Sequence, residues 1–128
     1  VIRLKFRQMI KLSLKLIDLY GEDSLRYYLM RNMALGQDAN YNLDKFIKRY
    51  NSDLANDYGN VVNRVIILIS KFFDSKVPSP GDYNSIDLHL IAKFKETPVK
   101  VYKFIEELRI HDATEMIFSM VKSINKYF

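Results

Sequence analysis

The sequence predicts an all-α protein, one domain built as a helical bundle. Three observations carry this. Apolar residues recur in steps of three and four along most of the chain, including a run of about eight turns from Leu43 to Phe72. The breaks between runs carry glycine or proline, at Gly21, at Gly36 and in "DSKVPSPGDYNS". At 128 residues the chain can bury one modest core, and no internal repeat or low-complexity segment argues for a different organisation.

The elements follow in order. Residues 1–14 form a basic arm in which Ile2, Leu4 and Phe6 alternate with Arg3, Lys5 and Arg7. That period of two predicts a short edge strand running into a more helical stretch. A basic presequence or an arm on RNA backbone are the alternatives, although a signal peptide's cleavage site and long apolar core are missing. "LKLIDLY" reads as a helix stopped by Gly21, and "EDSLRYYLMRNM" as a second with Leu25, Tyr28 and Leu29 on one side. "GQDANYN" reads as a turn with a short extended piece. Asn42 is placed to cap the helix that starts in "NLDKFIKRY", and the apolar steps beyond it predict one long helix or a kinked pair. After the proline-containing break come Ile86–Leu108, with a kink or restart at Pro98, and Asp112–Tyr127, where Asp112 and Glu115 have capping-box spacing. The pairs Tyr27/Tyr28 and Phe72/Phe73 are read as core.

Composition excludes several function classes. There is no cysteine, so disulfides, zinc–thiolate sites and cysteine nucleophiles are out. His89 and His111 have no ligand-spaced partner, so no metal site is expected. No apolar run approaches the ~18 residues that span a bilayer, and a cytoplasmic protein without membrane partners is the default expectation. The formal net charge is +5, yet Arg3, Lys5, Arg7, Lys11 and Lys15 all precede the first acid, Asp18. Beyond them Lys+Arg and Asp+Glu balance, so bulk charge does not mark the body as an RNA binder. No phosphate-cradling glycine loop, nucleophile–base pair or convergent carboxylates appear, and no catalytic residue is assigned.

One stretch resists the helical rule. "NSDLANDYGNVVNRVIILI" carries Asn51, Asn56, Asn60 and Asn63 and a glycine where a helix prefers Ala, Leu, Glu or Lys. At 100° per residue, Leu54, Val61, Val65, Ile69 and Phe72 share one face, and Asn60, Arg64, Asp53 and Lys71 share the other. Asn60 and Arg64 are four apart and therefore neighbours. An amide offers donor and acceptor to a base edge and a guanidinium stacks on or bonds a base, so the pair suits unstacked RNA. The plain alternative is a solvated helix face. Asn51, Asp53 and Asn56 are read as serving backbone groups or neighbouring helices, and Asp23 with Arg26 as a scaffold pair. Ile66 and Ile67 point away from the Val65–Ile69 side, so this helix is apolar nearly all round beyond Arg64 and belongs inside a bundle; cover from a second copy, making a homodimer, is the expectation, with the N-terminal arm folded over it as the alternative.

"LIDLYGEDSLRYYLMRNMALGQDANYN" followed by "NSDLANDYGNVVNR" resembles the methionyl-tRNA synthetases, class I aminoacyl-tRNA synthetases. The likeness is close from Leu14 to about Lys76 and weaker to "SINKYF", which matches an Asn-x-Tyr near the end of a bundle helix. It implies that residues 15–41 correspond to the linker after the catalytic domain and 42–128 to a partial, truncated anticodon-binding bundle, with no counterpart for 1–14. It also implies that Asn60 and Arg64 read the methionine anticodon. Lys71, on the same side, is a candidate for RNA backbone. The departures are equally informative. The family's Lys-Met-Ser-Lys-Ser loop and Gly-Asn pair are replaced by "RQMIKLSLK", and its Pro-Trp pair has no counterpart in a chain without tryptophan. The resemblance thus implies a tRNA(Met)-binding portion, weak in isolation and without catalysis or cofactor of its own, from an enzyme that uses ATP and magnesium. A helical protein-interaction module with no RNA binding is the alternative.

Overall fold

The computed structural model describes residues 2–34, 36 and 41–128, with side chains from residue 10 onward. Six α-helices and one π-helical segment follow one another: α1 Ile2–Tyr20, α2 Glu22–Asn32, α3 Leu43–Arg49, the π-helix Tyr50–Tyr58, α4 Gly59–Phe72, α5 Ser85–Glu106 and α6 Ile110–Tyr127. The fold is all-α, as the periodicity predicts. The side chains that alternate along residues 2–7, and most of the extended piece expected in "GQDANYN", lie outside the described residues.

The expected edge strand is not formed, and α1 runs from Ile2. Alternation over six residues is a short signal, a strand needs a partner for its backbone groups, and no strand exists among the described residues to supply one. Extending an existing helix costs little once it is nucleated. Gly21 ends α1 with φ near +80°, a left-handed conformation that glycine adopts freely. Asn42 caps α3 as expected, its side chain accepting from the Lys45 amide at 3.0 Å. At α5 the capping box is Asn84 with Asp87. The box expected at Asp112 does not form, because Asp112 lies inside the first turn of α6 and accepts from Arg109 Nε at 2.7 Å, while Glu115 is drawn to Arg31. Pro98 does not divide α5, which continues through it as one element.

The core sits where α1, α2 and α3 meet. Leu16, Leu25, Tyr28 and Phe46 are buried there, with Leu12, Ile17, Tyr20 and Ile47 packed around them. Phe46 has edge-on contacts with Tyr20 and Tyr28, at ring separations of 5.3 and 5.5 Å. A second contact zone joins α6 to α2, where Phe118 lies 5.0 Å from the Tyr27 ring and Ala113 and Met120 are buried. Helix α6 also packs on α5, α4 and the π-helix, so it ties the two halves together. Tyr28 is buried in the core as expected, whereas Tyr27 is half-buried against Phe118. Phe72 and Phe73, also expected in the core, are exposed at the end of α4, which has no fully buried residue.

Candidate nucleic-acid interface

The asparagine-rich stretch folds as π-helix followed by α4, and the change of pitch decides which way its residues face. Poor helix formers dominate "YNSDLANDY", so the α form has little intrinsic advantage there. Ser52 lies within reach of the Arg49 carbonyl and donates to Asp53 Oδ1 at 2.7 Å, both local bonds that compete with the α ladder. At the junction the Gly59 amide reaches the Leu54 carbonyl, five residues back. A Cβ on Gly59 would stand 3.3 Å from that oxygen, which accounts for a glycine inside the helix.

Asp53 is the residue that a uniform α-helix misplaces. Expected beside Asn60, Arg64 and Lys71, it is instead 4% exposed. The i→i+5 segment winds fewer degrees per residue than an α-helix, and the lag accumulated between Asp53 and Gly59 separates it from Asn60. Its carboxylate accepts from Tyr27 Oη at 2.6 Å and from Arg49 Nη1 at 3.2 Å, and lies 3.7 Å from Arg31 Nε. Arg31, also buried, pairs with Glu115 of α6, and its backbone carbonyl accepts from His111 Nδ1 at 2.6 Å. Burial works to raise the Asp53 pKa, but hydrogen bonds from Tyr27 and Ser52 and the Arg49 charge outweigh it and hold the carboxyl below its ordinary value. Burial, and next the bond to Asp53, push the Tyr27 hydroxyl well above its own. These polar groups join α2, the π-helix and α6.

Asn60 and Arg64 are both exposed, one turn apart on α4. Arg64 Nη1 donates to the Asn125 carbonyl at 3.5 Å, and Asn125 Nδ2 donates to the Asp57 carbonyl at 2.7 Å, so α6 braces both sides of the junction. Lys71 is exposed two turns further on, its ammonium 5.2 Å from the Phe72 ring centre. Asn51 and Asn56 are exposed and make no side-chain hydrogen bond to the described residues, contrary to the scaffold role expected of them. Asp23 and Arg26 do pair, at 3.2 Å on the surface. Sequence reasoning missed the braces: "SINKYF" pointed to Asn125 but not to its contact, and nothing local marks Tyr27 or Glu115 as partners of residues on other helices.

This geometry, a polar pair on an exposed turn beyond a braced π-helix, is embedded in a recognisable sequence. The family described as tRNA synthetases class I (M) matches residues 6–66. Methionine–tRNA ligase of Thermotoga maritima is 37% identical over 109 residues, 85% of this chain and 17% of that protein. The Clostridium acetobutylicum enzyme of the same name is 41% identical over 112 residues, covering 88% and 17%. The chain belongs to the methionyl-tRNA synthetase family. The Mycobacterium tuberculosis methionyl-tRNA synthetase, in a crystal structure bound by methionyl-adenylate, superposes with a TM-score of 0.87 at 34% identity over 91% of this chain and 23% of that one. The family match begins at residue 6, ahead of the quoted motifs, so residues 6–14 go with the synthetase-like stretch. The chain spans only 17–18% of the length of the methionine–tRNA ligases of Thermotoga maritima, Caldanaerobacter subterraneus and Clostridium tetani.

Proposed function

We propose that this chain is the tRNA anticodon-binding portion of a methionine–tRNA ligase, with Asn60 and Arg64 as the base readers. One observation carries the reading: the two side chains stand exposed one helical turn apart, and the guanidinium is tethered to the Asn125 carbonyl. A guanidinium held at one nitrogen keeps other N–H groups for a base edge or presents its plane for stacking. Lys71 offers a point charge suited to backbone phosphate. The reaction of the whole enzyme, joining methionine to tRNA(Met) with ATP and magnesium, lies outside these residues. We expect the chain alone to bind tRNA weakly and to catalyse nothing. Work on tRNA fits a cytoplasmic location, and no helix among the described residues is long and apolar enough to cross a membrane.

The test is a titration of labelled methionine tRNA and an anticodon-altered tRNA. Asn60→Ala and Arg64→Ala should each lose about 1–3 kcal/mol of binding to the first and narrow the preference over the second. Lys71→Ala should weaken both alike and reduce the salt slope by about one. If both reader variants bind methionine tRNA as well as the parent, with helicity unchanged, the reading is wrong.

A second reading is a helical protein-interaction module with no RNA binding. It is favoured by Ile66, Ile67, Phe72 and Phe73, which leave an uncovered apolar side on α4. In solution such a face would pair with a second copy.

A further inference from the structure

We propose that the π-helix Tyr50–Tyr58 is a register device that turns Asn60 and Arg64 outward, with Asp53, Gly59 and Asn125 as its positioning residues. What the two side chains then do rests on the anticodon reading, whereas how they are aimed rests on geometry alone.

Asp53 and Asn60 are seven residues apart. In an uninterrupted α-helix seven residues return a side chain to within about 20° of its starting direction. Yet Asp53 is 4% exposed, enclosed by Tyr27, Ser52, Arg31 and Arg49, while Asn60 is open to solvent. An α-helix through residues 50–58 would aim both side chains the same way. With Asp53 held against α2, Asn60 would turn toward that same side, and re-aiming Asn60 would pull the carboxylate away from Tyr27 and Arg31. The wider i→i+5 turn supplies the phase that separates them.

Three contacts hold that phase. Upstream, the Asp53 carboxylate pins the segment to Tyr27 of α2 at 2.6 Å. At the junction, Gly59 lets its amide close on the Leu54 carbonyl where a Cβ would crowd at 3.3 Å. On the far side, Asn125 takes the Asp57 carbonyl at 2.7 Å through its amide and Arg64 at 3.5 Å through its backbone oxygen. One residue of α6 therefore fixes the end of the π-helix and the direction of the reader that follows it. Asparagines suit such a segment because they give up little by leaving the α form. Its cost relative to an α-helix is met by the buried carboxylate, which a regular helix would bring to that place only with Asn60 turned toward the same side.

The chain has no cysteine, so Asn60→Cys places a single thiol at the reader position. In the otherwise unchanged chain this thiol should react with a maleimide almost as fast as in the urea-unfolded chain. Deleting the exposed Ala55 takes one residue out of the π-helix, and reaction should then slow about tenfold as the position rotates inward. Equal rates with circular dichroism unchanged overturn the proposal. If the deletion does not fold, Gly59→Ala, which adds one methyl group at the junction, makes the same comparison. The second readout is the affinity ratio for methionine tRNA over anticodon-altered tRNA. Asp53→Asn and Gly59→Ala should each lower it about tenfold while leaving the salt dependence alone, a pattern that loss of general stability does not give. A ratio within about twofold of the parent in both variants counts against the device. If the parent itself shows no anticodon preference, the anticodon reading fails and the thiol rates still decide the register.

Discussion

Asp53→Ala and Arg31→Met cut the same buried ion pair from opposite ends, and the structure makes their costs unequal. Removing the carboxylate leaves an Arg31 side chain that is 6% exposed, with only Glu115, itself half in solvent, as countercharge. The Tyr27 hydroxyl loses its acceptor, and Ser52 is left with only the Arg49 carbonyl at 3.5 Å. Breaking a buried pair in this way costs about 3–5 kcal/mol. Removing the guanidinium is milder. Asp53 keeps Tyr27 at 2.6 Å, Ser52 at 2.7 Å and Arg49 at 3.2 Å, Glu115 turns back to water, and methionine refills the volume of the stem. That loss is of the order of one charge-assisted hydrogen bond, about 1–2 kcal/mol. Urea unfolding followed by helical circular dichroism should place the two midpoints about 1 M apart, given slopes of about 2 kcal/mol/M. Because the residues share partners, the double variant should cost less than the sum. If Arg31→Met proves as damaging as Asp53→Ala, then Tyr27, Ser52 and Arg49 do not support the carboxylate as described.

Stability should fall at both ends of the pH scale. Asp53 titrates below its unfolded value in the native state, so its contribution is present above the ordinary carboxylate range, near pH 4, and disappears as pH drops through the native value; Asp53→Asn should flatten that acid arm of the melting curve. Tyr27 titrates above its unfolded value, so stability is lost as pH rises beyond about 10, and Tyr27→Phe should reduce this alkaline arm, to which Tyr41 and Tyr127 also contribute. Pro98→Ala should stabilise by about 1–3 kcal/mol, because an alanine amide can donate to the Phe94 carbonyl four residues back; a lower thermal midpoint would contradict this. Sedimentation equilibrium at micromolar concentration should show a dimer, and a stable 15.1 kDa monomer at high concentration would exclude pairing through α4.

What could be read from the sequence was set by the range of the interaction behind each feature. The Asn42 cap and the Gly21 stop depend on neighbours three or four residues away, and both were legible. The Asn84–Asp87 box is just as local, yet it stands at the edge of the proline- and glycine-containing break, where the turn residues mask a helix start. Nothing near Glu115 reveals that Arg31, on α2, competes for it. The π-helix was illegible because periodicity arguments assume one pitch, and Asp53 went to the wrong face for that reason alone. Asn60 and Arg64 escaped the error because they lie beyond the junction, inside α4, where 100° per residue holds. Phe72 and Phe73 look like core by composition, yet their surroundings end where α4 ends.

The way α5 is attached has a consequence for how the molecule comes apart. Among the described residues α6 is its only extensive neighbour, and no residue of α5 is fully buried. Phe94 and Pro98 of α5 and Ile117, Met120 and Ile124 of α6 line a shared apolar hollow along that seam. A helix held along one side opens at less than the full unfolding free energy, so its amides should exchange with deuterium well ahead of those in α2 and α3, which flank the aromatic core. The same opening bares one side of α6 but leaves the Tyr27–Phe118 contact and the Asn125 brace untouched. The chain can therefore shed α5, and regain it, without disturbing the turn that carries Asn60 and Arg64.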